Sequence, residues 1–211
     1  MNFVWLNKDE KNSSLIVFFN GWGFDETAVK HLGTDGFDVL ALFDYRNFEM
    51  NFEQFSFEKY DKKYLIAWSM GVYVSNLFKP EFDCFDRKIA INGTQKMIDD
   101  EFGIPKRIYN LTLSRFNEQS SKKFVQNMFN GEVDGSVKPK RSTDDLKAEL
   151  ESINNIVLKD FLKFDKAFIS TEDKIVPSKN QIDYWLNRTS TQLLSAPHYP
   201  FYQFSEWKEL L

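Results

Sequence analysis

Acyl transfer by a protein nucleophile needs a hydroxyl or thiol to attack, an imidazole to take its proton and a carboxylate to orient that imidazole. Ser69 sits in Ala67-Trp68-Ser69-Met70-Gly71, with small residues two before and two after it. That spacing suits a sharp strand-to-helix turn, where two backbones meet and large side chains do not fit. The chain has only two histidines, His31 and His198, and His198 lies just beyond the last expected strand. Asp173 stands in Ser-Thr-Glu-Asp-Lys-Ile-Val-Pro at 170–177, in the loop after the preceding strand, with Glu172 as a competing carboxylate. The expected roles are Ser69 as nucleophile, His198 as base and Asp173 as orienting acid, in the chain order Ser, Asp, His. The oxyanion formed during such a reaction needs backbone N–H donors. Met70, next to the nucleophile, supplies one, and Trp22 in Asn20-Gly21-Trp22-Gly23 supplies the other.

The elements that must position these residues are legible as short apolar runs, too short for helices: 15–20 (LIVFFN), 37–43 (FDVLALF), 64–68 (YLIAW), 88–92 (KIAIN), 166–170 (KAFIS) and 191–195 (TQLLS). Their separation by longer segments predicts an α/β fold, a mostly parallel central sheet flanked by helices. Residues 25–32, including His31, read as a helix, and another begins near Ser178. Between Gly93 and Phe164 the pattern changes to helical spacing, as in Phe124 with Met128 and Val125 with Phe129, which predicts a small helical insertion at about 94–164, before the acid-bearing strand. Within it Asn117 is a helix N-cap, Asn130-Gly131 a stop, and 131–142 a polar loop.

At 211 residues the chain suits one domain. Its 27 Lys+Arg against 31 Asp+Glu give a formal charge of −4, no overall electrostatic reason to bind nucleic acid. The single cysteine, Cys84, excludes an intramolecular disulfide or a multi-cysteine zinc site. The N-terminus lacks the features of a secretory signal and no apolar run approaches bilayer length, so a soluble, cytoplasmic protein is expected. The only Gly-rich turn has Glu26 where a dinucleotide fingerprint needs its third glycine. The 22 Phe suggest an apolar pocket.

Asn20-Gly21-Trp22-Gly23, Trp68-Ser69-Met70-Gly71, Asp173-Lys174-Ile175-Val176-Pro177 and His198-Tyr199-Pro200-Phe201 resemble the α/β-hydrolase esterases that demethylate pimeloyl-acyl-carrier-protein methyl ester in biotin synthesis, above all their short BioG type. The resemblance runs over nearly the whole chain, including Ile98-Asp99-Asp100-Glu101-Phe102-Gly103-Ile104-Pro105 at the start of the family's helical cap. It implies that Ser69, Asp173 and His198 are catalytic, that Trp22 and Met70 form the oxyanion hole, and that no cofactor or metal takes part. Two departures stand out: Asn20 replaces a histidine, and Ala67 the first elbow glycine. The implied partner, an acidic acyl-carrier protein, requires a local basic face. The candidates are Lys106, Arg107, Arg115, Lys122 and Lys123 in the cap, followed by Lys138, Lys140 and Arg141, which an ordinary solvated helix face explains as well. The same triad would also serve a general carboxylesterase or thioesterase, and a non-catalytic acyl or carrier-protein binding module is the alternative of another class.

Overall fold

Strands form where the apolar runs lie, because a strand buried on both faces carries apolar residues without alternation. The computed structural model describes residues 1–131, 137–154 and 156–211. Seven strands, β1 (Asn2–Asn7), β2 (Ser14–Phe19), β3 (Phe37–Phe43), β4 (Lys62–Trp68), β5 (Arg87–Ile91), β6 (Lys166–Ser170) and β7 (Ser190–Leu194), make one sheet in the order β1-β3-β2-β4-β5-β6-β7. Neighbours pair in parallel except β1, which runs antiparallel to β3. The six expected strands appear within two residues of their expected bounds. Strand β1 is additional: an edge strand, none of its residues fully buried, whose sequence NFVWLN has neither a continuous apolar run nor clean alternation.

Successive side chains of the central strands enter opposite cores, Leu15, Val17 and Phe19 on one face and Ile16 and Phe18 on the other. The phenylalanine excess is spent chiefly in the first of these. Phe52, Phe57, Phe78, Phe82 and Phe85 pack there around Phe19, with ring centroids 4.9–6.1 Å apart in edge-on and tilted contacts.

Two short helices, α1 (Met70–Val74) and α2 (Lys79–Phe82), follow β4 and are joined by a 3-10 turn at Ser75–Phe78. Pro80 explains the interruption: it has no N–H to give the carbonyl of Asn76, and its ring crowds that carbonyl. Between β5 and β6 lie α3 (Lys106–Ser114), α4 (Glu118–Met128) and α5 (Thr143–Asn154), within the expected insertion, and α6 (Ser178–Trp185) follows β6. Asn117 caps α4 as its sequence suggests, accepting from the Ser120 N–H while the Ser120 hydroxyl accepts from the Asn117 N–H. Asn130 and Gly131 both take positive φ after it. Of the polar tract at 131–142, residues 132–136 lie outside the described residues, and the remainder forms neither helix nor strand.

One expected helix is absent. Residues 25–32 form only the 3-10 turn Glu26–Ala28, leaving His31 in a turn, its Nε2 3.1 Å from the Phe201 carbonyl oxygen. Asp25 caps that turn, its side chain accepting the N–H and hydroxyl of Thr27, but β-branched Thr27 and Val29 lower helix propensity and the turn ends with Ala28, Val29 and Leu32 buried. No helix among the described residues is long and apolar enough to cross a membrane.

Candidate active site

The loops after β2, β4, β6 and β7 meet at the carboxyl ends of the parallel strands, where open α/β sheets place their sites. Ser69 forms the turn between β4 and α1 at φ 53° and ψ −118°, a conformation costly for a residue with a side chain and maintained only by the surrounding backbone. Gly71 and Gly93 make that approach possible. A Cβ on Gly71 would lie 2.3 Å from the Phe19 carbonyl oxygen, and one on Gly93 would lie 2.4 Å from the Ser69 carbonyl oxygen. Ala67, by contrast, places its methyl in the core, so losing glycine there obstructs nothing.

His198 bridges the other two expected residues. Its Nε2 is 2.8 Å from Ser69 Oγ and its Nδ1 is 2.7 Å from Asp173 Oδ2. Asp173 is fixed in turn: Oδ1 accepts the N–H groups of Ile175 (2.8 Å) and Val176 (2.9 Å), and Oδ2 also accepts from Gln181 Nε2 (2.9 Å). An ionised carboxylate only accepts, so Nδ1 carries the imidazole proton and Nε2 faces the serine as acceptor. The rival carboxylate, Glu172, is exposed and accepts instead from Asn130 and, at 3.4 Å, from Ser195.

Three consecutive N–H groups in the loop after β2 divide unequally. Gly21 donates to Asn20 Oδ1 (2.9 Å) and Gly23 to Glu149 Oε2 (3.1 Å), while the Trp22 N–H between them has no acceptor among the described residues. Met70 opens α1, so its N–H has no helical acceptor either. Both residues are buried, and both line one pocket with Ser69. Buried N–H groups without acceptors are rare, and a pair beside a nucleophile can hold an anionic oxygen.

That pocket is mostly apolar. The insertion supplies much of it, with Ile108 of α3, Phe124 of α4 and Leu150 of α5, and exposed Lys174 lies at its edge. Phe124 is the one phenylalanine in its lining, so the abundance of Phe was a poor guide to it. The cavity volume is about 140 Å³.

The cap cations divide. Lys106, Arg107, Arg115 and Lys123 are exposed and make no ion pair among the described residues, whereas Lys122 pairs with Glu118 at 2.8 Å. Lys140 meets Asp25 (3.1 Å) and Glu26 (3.5 Å). Arg141 leaves the expected basic surface altogether, turning inward to Asp44 (2.9 Å) and Glu149 (2.6 Å), because a buried carboxylate needs a counter-charge. Burial pushes the Glu149 carboxyl above its ordinary range, against the opposing pull of Arg141 and the Tyr45 N–H.

Three contributors escape a motif reading. Gln181 of α6 braces Asp173. Asn92, fully buried at φ 47°, donates to the His198 carbonyl oxygen at 2.8 Å, as Trp68 Nε1 does at 3.1 Å, and so anchors the histidine loop. Glu149 holds the loop that carries Trp22, through the Gly23 N–H. An Asn closing a strand in the left-handed region is the one local signal among them. Among the described residues no three His, Cys, Asp or Glu side chains are grouped to hold a metal ion.

The chain is similar to known proteins over its full length. The family described as pimeloyl-ACP methyl esterase BioG matches residues 2–210. A protein of Haemophilus influenzae is 30% identical over 210 residues, 96% of each chain. The crystal structure of BioG from Haemophilus influenzae superposes with a TM-score of 0.88 at 30% identity, covering 100% of this chain and 99% of that one. A malonyl-[acyl-carrier protein] O-methyltransferase of Bacteroides fragilis is 34% identical over 179 residues; the match covers 81% of this chain but only 36% of that longer protein. An esterase of Exiguobacterium antarcticum shares the α/β-hydrolase fold alone, with a TM-score of 0.67 at 12% identity over 93% of this chain and 87% of the other. The chain therefore belongs to the BioG pimeloyl-ACP methyl esterase family and is a carboxylic ester hydrolase of the α/β-hydrolase fold.

Proposed function

We propose that this protein hydrolyses the methyl ester of a pimeloyl chain carried on acyl-carrier protein, through a Ser69-His198-Asp173 triad and an acyl-enzyme. The observation that carries the reading is the continuous chain of contacts from Ser69 Oγ through His198 to Asp173, at 2.8 and 2.7 Å, opening on an apolar pocket. Ser69 Oγ attacks the ester carbonyl while His198 Nε2 takes its proton. The Trp22 and Met70 N–H groups receive the oxyanion, and His198 returns the proton to the leaving methoxide oxygen, releasing methanol. Water then gives a proton to His198 and attacks the acyl-Ser69 carbonyl; Ser69 recovers its proton and the acid departs.

The mostly apolar lining, with Ile108, Phe124 and Leu150, supports an apolar acyl chain as the group bound there. We read residues 94–164 as a cap over the pocket within a single domain, and the unpaired cations Lys106, Arg107, Arg115 and Lys123, with Lys122 nearby, as the face that attracts the acidic carrier.

The test is mass spectrometry of pimeloyl-acyl-carrier-protein methyl ester incubated with wild type and with Ser69→Ala, beside a simple short-chain ester. Conversion of the methyl ester to the acid by wild type, with a loss of roughly 10⁶-fold in the variant, is the expected result. Cleavage of the short ester alone would reassign the protein as a general esterase, and inertness toward both would leave a binding module.

A further inference from the structure

The triad and its oxyanion donors lie on the sheet, yet the donor loop is held from the insertion. Glu149, on α5, is completely buried. Its carboxylate accepts the Gly23 N–H through Oε2 (3.1 Å) and the Tyr45 N–H through Oε1 (2.8 Å), and pairs with Arg141 (2.6 Å). Arg141 continues the network to Asp44, at φ 61° just past the end of β3. The same helix accepts the Trp22 indole N–H at the Leu146 carbonyl oxygen (2.9 Å), and the Ser152 hydroxyl donates to the Tyr45 carbonyl oxygen (2.6 Å).

Burying a carboxylate beneath a surface insertion is costly unless each of its oxygens is matched. What the carboxylate supplies, and an apolar residue cannot, is a pair of acceptors, one for the Tyr45 N–H at the end of β3 and one for the Gly23 N–H beside Trp22. With Asn20 Oδ1 holding Gly21 on the other side, Trp22 is left as the one N–H of the three turned to no acceptor. We propose that Glu149 is a positioning residue for the oxyanion hole: by holding Gly23 it keeps the Trp22 N–H aimed at the developing oxyanion, so that the hole is complete only when α5 is seated. The proposal rests on the reading of Ser69 as nucleophile and Trp22 as oxyanion donor.

The test compares wild type with Glu149→Met, which takes the acceptor from the Gly23 N–H, and with the double variant Glu149→Met/Arg141→Met, which also leaves no orphaned cation. For each, kcat and KM on a short-chain ester, the melting temperature, and the affinity for a phenylboronic acid that forms a tetrahedral adduct on the serine are measured. The expected result is a fall in kcat of about 10²-fold, the scale of losing one oxyanion donor, with little change in KM and a matching loss of boronate affinity. In the double variant the melting temperature recovers toward wild type but kcat does not. A folded double variant with wild-type kcat, or a reduced kcat with boronate affinity intact, overturns the proposal; if the double variant does not fold, the same comparison is made on Glu149→Met. Labelling of wild type but not Ser69→Ala by a fluorophosphonate keeps this test separate from the serine reading, since absence of labelling sinks that reading first.

Discussion

Asp173→Asn is the substitution whose consequence the geometry prescribes most closely. Asparagine offers one oxygen and one NH₂ where aspartate offers two acceptors. If its NH₂ took the place of Oδ1 it would face the Ile175 and Val176 N–H groups, leaving two buried donors unmatched at about 1–3 kcal/mol each. The amide oxygen therefore stays there, and the NH₂ replaces Oδ2, pointing at His198 Nδ1 and Gln181. Gln181 can adapt by turning its amide, at the cost of its Nε2 bond to the Val176 carbonyl oxygen (2.9 Å). His198 can adapt only by moving its proton to Nε2, which then donates toward Ser69 and can no longer accept from it. We expect kcat on a short ester to fall about 10⁴-fold, some 5 kcal/mol of transition-state stabilisation, with the fold retained. Glu172→Gln, altering an exposed side chain, should leave kcat within twofold. Steady-state kinetics with a melting curve for each variant decide the matter. Asp173→Asn retaining activity within tenfold of wild type, or Glu172→Gln losing more, would refute the reasoning.

Gly71→Ala should cost about 1–3 kcal/mol of stability and lower activity, because its methyl would meet the Phe19 and Asn20 carbonyl oxygens at 2.3 and 2.7 Å; denaturant melts that match wild type would count against this. Lys106→Glu/Arg107→Glu should raise KM for the carrier-bound ester more than for a short ester, with the difference shrinking in high salt; equal effects on both substrates would remove these residues from carrier recognition. Burial raises the phenols of Tyr45, Tyr60, Tyr73 and Tyr109, and raises Tyr184 to about 12. The unfolded chain therefore loses these protons first, and stability should fall as pH rises from about 10 through 12, with a phenolate absorbance that jumps on unfolding. A melting temperature flat across that range would contradict the burial of these hydroxyls. Gln181→Leu should lower kcat with KM preserved, by freeing Asp173 to swing away from His198; a change in KM alone would argue for a packing role.

The parallel sheet, the elbow around Ser69, the loop positions of Asp173 and His198 and the insertion before β6 were all legible in residue order, since each rests on neighbours in the chain: runs of apolar residues, small residues at Ala67 and Gly71, a capping Asn117. The helix expected at 25–32 stopped after one turn because burying Ala28, Val29 and Leu32 in the core outweighed a weak local preference. Only the tertiary structure decided that Asp173 rather than Glu172 meets the imidazole, that Arg141 turns inward, and that Gln181, Asn92 and Glu149 support the site. Glu149 on a polar helix reads as a solvated residue, and its partner Gly23 lies 126 residues away. A buried polar group takes its meaning from donors that the fold brings to it from distant segments, and no local pattern encodes that meeting.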